Sequence, residues 1–104
     1  MQALPVVARL FPAILAGEKT HTIRWREARI VPGPMTYLCE DAPGQRAVVV
    51  VTRVTDLPLR EAAALVGMEA EWPPEVMLAG MREHYPEITL DDVVQVVEHL
   101  PCRP

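Results

Sequence analysis

The chain has 104 residues, half of them apolar, and a formal net charge of −4. This length suits one domain spanning residues 1–104 with a single core, and no apolar run approaches the roughly 20 residues that cross a bilayer. The first residues show no signal-peptide pattern, so we expect a cytoplasmic protein with no membrane partner. The acidic balance also argues against a strongly basic protein that coats nucleic acid.

The charges are segregated along the chain. Residues 1–60 hold eight Lys or Arg against five Asp or Glu, whereas residues 61–104 hold two against nine. A positive field in the first part could attract a phosphate-bearing ligand if its cations share one face, and dispersed solubilising charge is an equally favoured interpretation. The cations concerned are Arg9, Lys19, Arg24, Arg26 and Arg29.

Hydrophobic periodicity and Gly/Pro punctuation predict the element order β-α-β-β-β-α-α-β. Gly17 and Gly67 are predicted to end the first and second helices, and Pro12 lies in the first turn of the first. In chain order the predicted elements are a strand at 3–9, a helix at 11–17, strands at 20–24, 35–40 and 46–54, helices at 59–67 and 72–85, and a strand at 91–100.

The five predicted strands favour a small barrel, because closure of a sheet removes its exposed edges. Four consecutive valines, 48–51, predict a strand that is buried on both faces. The predicted core consists of Val6, Ile14, Leu15, Ile23, Val48, Val50, Leu65, Met77, Met81, Val94 and Val96.

The Cys and His residues do not have the spacing of a metal site. Cys39 and Cys102 lie far apart without a Cys-x-x-Cys pair, and the three histidines are scattered. Two reduced thiols are favoured over a disulfide in a reducing compartment. We therefore predict no metal and no other cofactor.

Lys19 is the only lysine, whereas arginine occurs nine times. Arginine stays protonated under ordinary conditions and can hold an anion, but a desolvated lysine can also release its proton and act as a base. Lys19 lies in the segment GEKTHTIR, residues 17–24, at the predicted corner between helix and strand. The composition alone leaves open that a single lysine occurs here by chance.

The segment GEKTHTIR resembles the Gly-x-Lys-x-x-Thr-x-Arg signature of the ASCH family, relatives of the PUA-like RNA-binding barrels. The preceding short helix, the following Pro-Gly turn with paired strands, and a helix ending in Tyr85-Pro86 agree with the family's order, so the resemblance covers nearly the whole chain. It implies one α+β domain, a small, mostly antiparallel PUA-like β-barrel of about five strands with two to three flanking helices. The chain looks most similar to compact bacterial ASCH proteins, which include N4-acetylcytidine amidohydrolases.

The same resemblance implies a catalytic set of lysine, threonine and glutamate in an internal cleft. Its lysine and threonine correspond to Lys19 and Thr22. The expected glutamate corresponds to Ala70, which lies between Glu69 and Glu71. We prefer Glu71 with Glu69 as the alternative, and both carboxylates could instead be merely solvated.

Substrate-binding residues are predicted next to this set. Strand alternation puts Thr20, Thr22 and Arg24 on one face, where Arg24 could hold a phosphate or a base carbonyl. A structural ion pair of Arg24 with Glu18 or Glu40 is an equal alternative.

The opposite face carries His21, which is predicted to be packed. Trp25 could stack on a base and Arg26 could hold RNA backbone, although a lone tryptophan beside a strand is more often part of a core or its rim.

Three functions remain open at this stage, all with RNA or a modified nucleoside as the partner. In an amidohydrolase, Thr22 attacks the acetyl amide and Lys19 accepts its proton, or the same groups activate water. In an RNA-binding module the cations hold the backbone without chemistry. A metal-independent ribonuclease is the third. The sequence does not predict the oligomeric state.

Overall fold

The computed structural model describes residues 1–42 and 44–102. The strands are β1 (Gln2–Val6), β2 (His21–Arg24), β3 (Gly33–Cys39), β4 (Arg46–Pro58) and β5 (Val93–His99). The helices are α1 (Phe11–Leu15), α2 (Leu59–Leu65) and α3 (Pro74–Arg82), with a 3-10 helix, Ala8–Leu10, leading into α1. The predicted α+β class, with five strands and up to three helices, is confirmed, and so is the predicted order.

The five strands form one mixed sheet in the order β1-β3-β4-β5-β2. β1 runs parallel to β3, with Leu4 opposite Tyr37, and β3 runs antiparallel to β4, with Tyr37 opposite Ala47. Tyr37 therefore lies on a strand that is paired on both sides. In the part of the chain that the structure describes, no helix is long and apolar enough to cross a membrane.

Local chemistry sets the helix ends as predicted. Proline occupies the first turn of α1 and of α3, where its missing N–H costs no hydrogen bond. Gly17 follows α1 with φ of 77° and Gly67 follows α2 with φ of 72°, left-handed values that glycine adopts without steric cost.

The chain divides into two compact units. Unit 1 comprises residues 1–22, 29–54 and 97–104, and unit 2 comprises residues 23–28 and 55–96. The core of unit 1 includes Leu4, Val6, Phe11, Ile14, Ile30, Met35, Tyr37, Val49 and Val51. The core of unit 2 includes Leu59, Ala62, Ala63, Met77, Ile88, Val94 and Val96. The single domain predicted from the sequence stays a prediction.

The prediction that the valine run is buried on both faces is wrong. Val49 and Val51 are each 2% exposed, whereas Val48 is 54% and Val50 46% exposed. Successive side chains of a strand point to opposite faces, and only one face of β4 packs into the core of unit 1.

The predicted core is otherwise partly correct. Leu15 is 49% exposed and is not a core residue, because it is the last residue of α1 and lies past the buried Phe11 and Ile14. Ile23, Leu65 and Met81 are partly buried against the core of unit 2. Fully buried, as predicted, are Val6, Ile14, Met77, Val94 and Val96.

Candidate functional site

Lys19 lies at the corner between α1 and β2, as the sequence predicts. The backbone N–H groups of Glu18 and Lys19 both donate to the carbonyl of Ala13, at 2.9 and 3.1 Å. These bonds satisfy a carbonyl that the short helix leaves open and hold the lysine's backbone against the end of α1. The Lys19 side chain is half-buried, and Thr22, in the middle of β2, is only 5% exposed.

A buried tyrosine-histidine pair lies in the same unit. The Tyr37 hydroxyl and His99 Nε2 are 2.9 Å apart, and His99 Nδ1 is 2.8 Å from the carbonyl oxygen of Leu100. Because that carbonyl can only accept, Nδ1 of His99 carries the hydrogen. In the neutral ring Nε2 is then the acceptor, and Tyr37 donates to it. Burial, the largest cause, lowers the pKa of His99 and favours this neutral form.

The charge of Lys19 acts on two imidazoles of unit 1. Burial first and Lys19 second lower the pKa of His21, with His99 adding to the effect and Glu98 opposing it. Lys19 also contributes to the lowered pKa of His99. Glu98 in turn pairs with Arg53, which takes up part of its charge. The charge of Lys19 therefore disfavours the protonated form of both rings.

The other predicted site residues divide between the units. Thr20 belongs to unit 1 with Lys19 and Thr22, and its carbonyl accepts a hydrogen bond of 2.9 Å from the backbone N–H of His99. Glu69 and Glu71 belong to unit 2 and are exposed in the turns between α2 and α3. The choice between the two glutamates stays a prediction.

Arg24 forms a carboxylate pair that the sequence analysis did not consider. Its Nη1 lies 3.4 Å from Oε1 of Glu27, and the Tyr85 hydroxyl donates to Oε2 of the same carboxylate. Burial, reinforced by the bond to Glu27, raises the pKa of Tyr85 to about 12. Glu27 thus joins the residues after β2 to the segment that follows α3, within unit 2.

Trp25 and Arg26 form a stacked pair beside this carboxylate. The Trp25 ring meets the Tyr85 ring edge to face, with centroids 5.9 Å apart, and the Arg26 guanidinium carbon lies 4.2 Å from the Trp25 ring centroid. This is within the range of a cation–π contact. Arg26 is exposed and has φ of 56°, a left-handed value that is uncommon outside glycine. Such backbone strain occurs preferentially at functional sites.

Tyr37, His99 and Glu27 are not among the site residues predicted from the sequence. Tyr37 and His99 are 62 positions apart, and Glu27 and Tyr85 are 58 apart, so no local spacing connects them. Among the residues with a described structure, no three His, Cys, Asp or Glu are grouped so that they could hold a metal ion. Cys39, which is buried, and Cys102, which is half-buried, are both in the thiol form.

No protein-family model and no curated protein matches this chain. A solved structure does match it: the crystal structure of a mutant of the ZmASCH protein from Zymomonas mobilis. The superposition has a TM-score of 0.72 and covers 98% of this chain and 70% of that one, at 12% sequence identity. At that identity the likeness concerns the fold. The chain therefore has the fold of an ASCH protein, the α+β architecture that the GEKTHTIR segment predicts.

Proposed function

We propose that this protein acts on RNA or a modified nucleoside, and that its reaction is removal of the acetyl group of N4-acetylcytidine. The observation that carries the proposal is the position of the only lysine. Lys19 is half-buried, its charge acts on the half-buried imidazole of His21 and the buried imidazole of His99, and the buried Thr22 lies three residues further on. An amine in such surroundings is suited to proton transfer.

The proposed reaction begins with attack by the Thr22 hydroxyl oxygen on the acetyl carbonyl carbon, while the neutral Lys19 amine takes the hydroxyl proton. Collapse of the tetrahedral intermediate breaks the bond between that carbon and N4. The Lys19 ammonium returns the proton to N4, which leaves as the amino group of cytidine. Water then hydrolyses the acetyl-threonine ester and releases acetate. In the alternative route, the same amine activates water for direct attack.

A carboxylate completes the proposed set. Glu71, or Glu69, would position the hydrolytic water or help to protonate the leaving nitrogen. Both glutamates are exposed, so either can meet a ligand that arrives from solvent.

Substrate binding is assigned to Thr20 in unit 1 and to Arg24, Trp25 and Arg26 in unit 2. A guanidinium stacked on an indole offers a planar surface to a base and a charge to a phosphate, which supports Trp25 and Arg26 as the residues that contact RNA. Arg24, which pairs with Glu27, is assigned the contact to a phosphate or a base carbonyl. The cytoplasmic location predicted from the sequence belongs to this proposal.

The first test measures acetate release from N4-acetylcytidine, free and within a short RNA, by the wild-type protein and by Lys19→Arg. The variant keeps the positive charge but removes the base, so we expect kcat to fall by about 100-fold or more. The matched control is Arg46→Lys, the opposite exchange at an exposed position of β4. Full activity of Lys19→Arg would show that the lysine is not the base.

An RNA-binding module is the second candidate, and the stacked Trp25–Arg26 pair favours it. No turnover by the wild-type protein, together with RNA binding that weakens as salt rises, would support this module. Cleavage of the RNA chain without added metal in the same assay would instead identify the third candidate, a metal-independent ribonuclease.

A further inference from the structure

The last residue of β5 and the residues that follow it contact the backbone on either side of Lys19. The backbone N–H of His99 donates to the Thr20 carbonyl at 2.9 Å. A Cβ built on Gly17 would lie 3.3 Å from Cβ of Pro101 and 3.6 Å from the Cys102 carbonyl oxygen. Residues 99–102 therefore pack directly against residues 17–20. On the side of α1, the Ala13 carbonyl accepts a hydrogen bond from the backbone N–H of Lys19.

The side chain of His99 is fixed as firmly as its backbone. Both ring nitrogens are engaged, Nδ1 with the Leu100 carbonyl and Nε2 with the Tyr37 hydroxyl. Tyr37 is fully buried on β3, which is paired on both sides, and its ring also contacts the His99 ring edge to face, with centroids 5.4 Å apart. The hydroxyl thus projects from a buried residue of a strand that is held by a neighbour on each side.

We propose that Tyr37 and His99 are positioning residues for Lys19. A continuous set of contacts runs from the Tyr37 hydroxyl to the His99 ring, and from the His99 backbone to Thr20, the neighbour of Lys19. This inference rests on the proposed function and adds two residues to it that neither the sequence pattern nor the resemblance assigns.

The arrangement also has a chemical consequence for the base. In the neutral His99 ring the Nδ1 hydrogen and the Nε2 lone pair are both used, so the ring cannot readily take a proton from Lys19. The proton that Lys19 accepts is thereby kept for the leaving nitrogen.

Tyr37→Phe tests the proposal, because it keeps the ring and removes only the hydroxyl. We expect kcat for N4-acetylcytidine to fall by about 10-fold or more while KM stays within about twofold, since a misplaced base impairs the chemical step rather than binding. If neither kcat nor KM falls in this variant, the positioning role is contradicted.

A second readout needs no turnover. Because Lys19 is the only lysine, protein labelled with ¹³C,¹⁵N-lysine gives the side-chain signals of a single residue. We expect Tyr37→Phe to shift these signals and Tyr85→Phe, which removes the hydroxyl bonded to Glu27 in unit 2, to leave them unchanged. Unchanged Lys19 signals in Tyr37→Phe overturn the proposal, whatever the activity. Shifted signals with an inactive wild type retain the positioning role and reject the amidohydrolase.

A measurement on the wild-type protein covers the case in which Tyr37→Phe does not fold. The ¹⁵N shifts of His99 at neutral pH should identify the tautomer that carries its hydrogen on Nδ1. The opposite tautomer, with the hydrogen on Nε2, would leave Nδ1 with no hydrogen to donate to the Leu100 carbonyl and would make the ring the donor to Tyr37, which would overturn the proposal.

Discussion

At the scale of single residues, the central feature is the mutual influence of Lys19, His21 and His99. A cation disfavours a second positive charge nearby, and burial disfavours any charge, so both effects keep the two imidazoles neutral. Glu98 raises the pKa of His21, but the Glu98 carboxylate is paired with Arg53.

Lys19→Met tests this influence, because it removes the charge and keeps an unbranched side chain of similar size. We expect the pKa values of His21 and His99 to rise, since the repulsion from the ammonium group is lost. Titration of the histidine ring signals by NMR measures both values. A variant in which His21 and His99 titrate as in the wild type would place Lys19 away from the imidazoles.

At the scale of elements, β4 contains a run of four valines whose side chains lie on two faces of the strand with different burial. Its valines are chemically identical, yet Val49 and Val51 are core residues of unit 1 while Val48 and Val50 are about half exposed. The exposed pair gains little from burial, and its β-branched side chains serve mainly to favour the extended backbone.

The two faces predict opposite outcomes for one substitution. Val49→Ala removes two buried methyl groups and should lower the free energy of unfolding by about 2 kcal/mol. Val50→Ala, next to it in sequence, should lower it by at most about 0.5 kcal/mol, because that side chain is already half solvated. Urea denaturation with both variants checks the difference. Equal losses would mean that the second face of β4 is covered.

At the scale of the whole molecule, the buried imidazoles connect folding to pH. The folded state holds His21 and His99 with lowered pKa values, whereas in the unfolded chain they titrate near 6.5. As the pH falls through this range the unfolded chain binds more protons than the folded one, so stability decreases. Above pH 6.5 both states hold neutral imidazoles, and the contribution is fully present.

We therefore expect the free energy of unfolding to fall between pH 7.5 and about pH 5.5, above the range in which most carboxylates titrate. Urea denaturation at several pH values measures this slope. His21→Gln should reduce the slope, because it removes one of the two imidazoles with a lowered pKa. A stability that is flat over this interval would show that the two imidazoles are accessible to protons in the folded state.

The element order and the helix ends were determined by the sequence itself. Gly17, Gly67 and the prolines that open α1 and α3 act within a few residues of chain, through allowed backbone angles and missing N–H groups, so their effect can be predicted without tertiary contacts. The position of Lys19 between α1 and β2 follows from the same local chemistry. The roles assigned to Lys19, Thr22 and the glutamates stay predictions.

Only the tertiary structure decided which face of β4 is buried and which side chains surround Lys19. The Tyr37–His99 and Glu27–Tyr85 bonds join residues about 60 positions apart, brought together by strand pairing and by packing around each core. Burial of a strand face depends on what is packed against it, which a run of valines does not specify. Hydrophobic periodicity reports only on neighbours within a few residues of the chain. It therefore cannot predict which residues pair across about 60 positions.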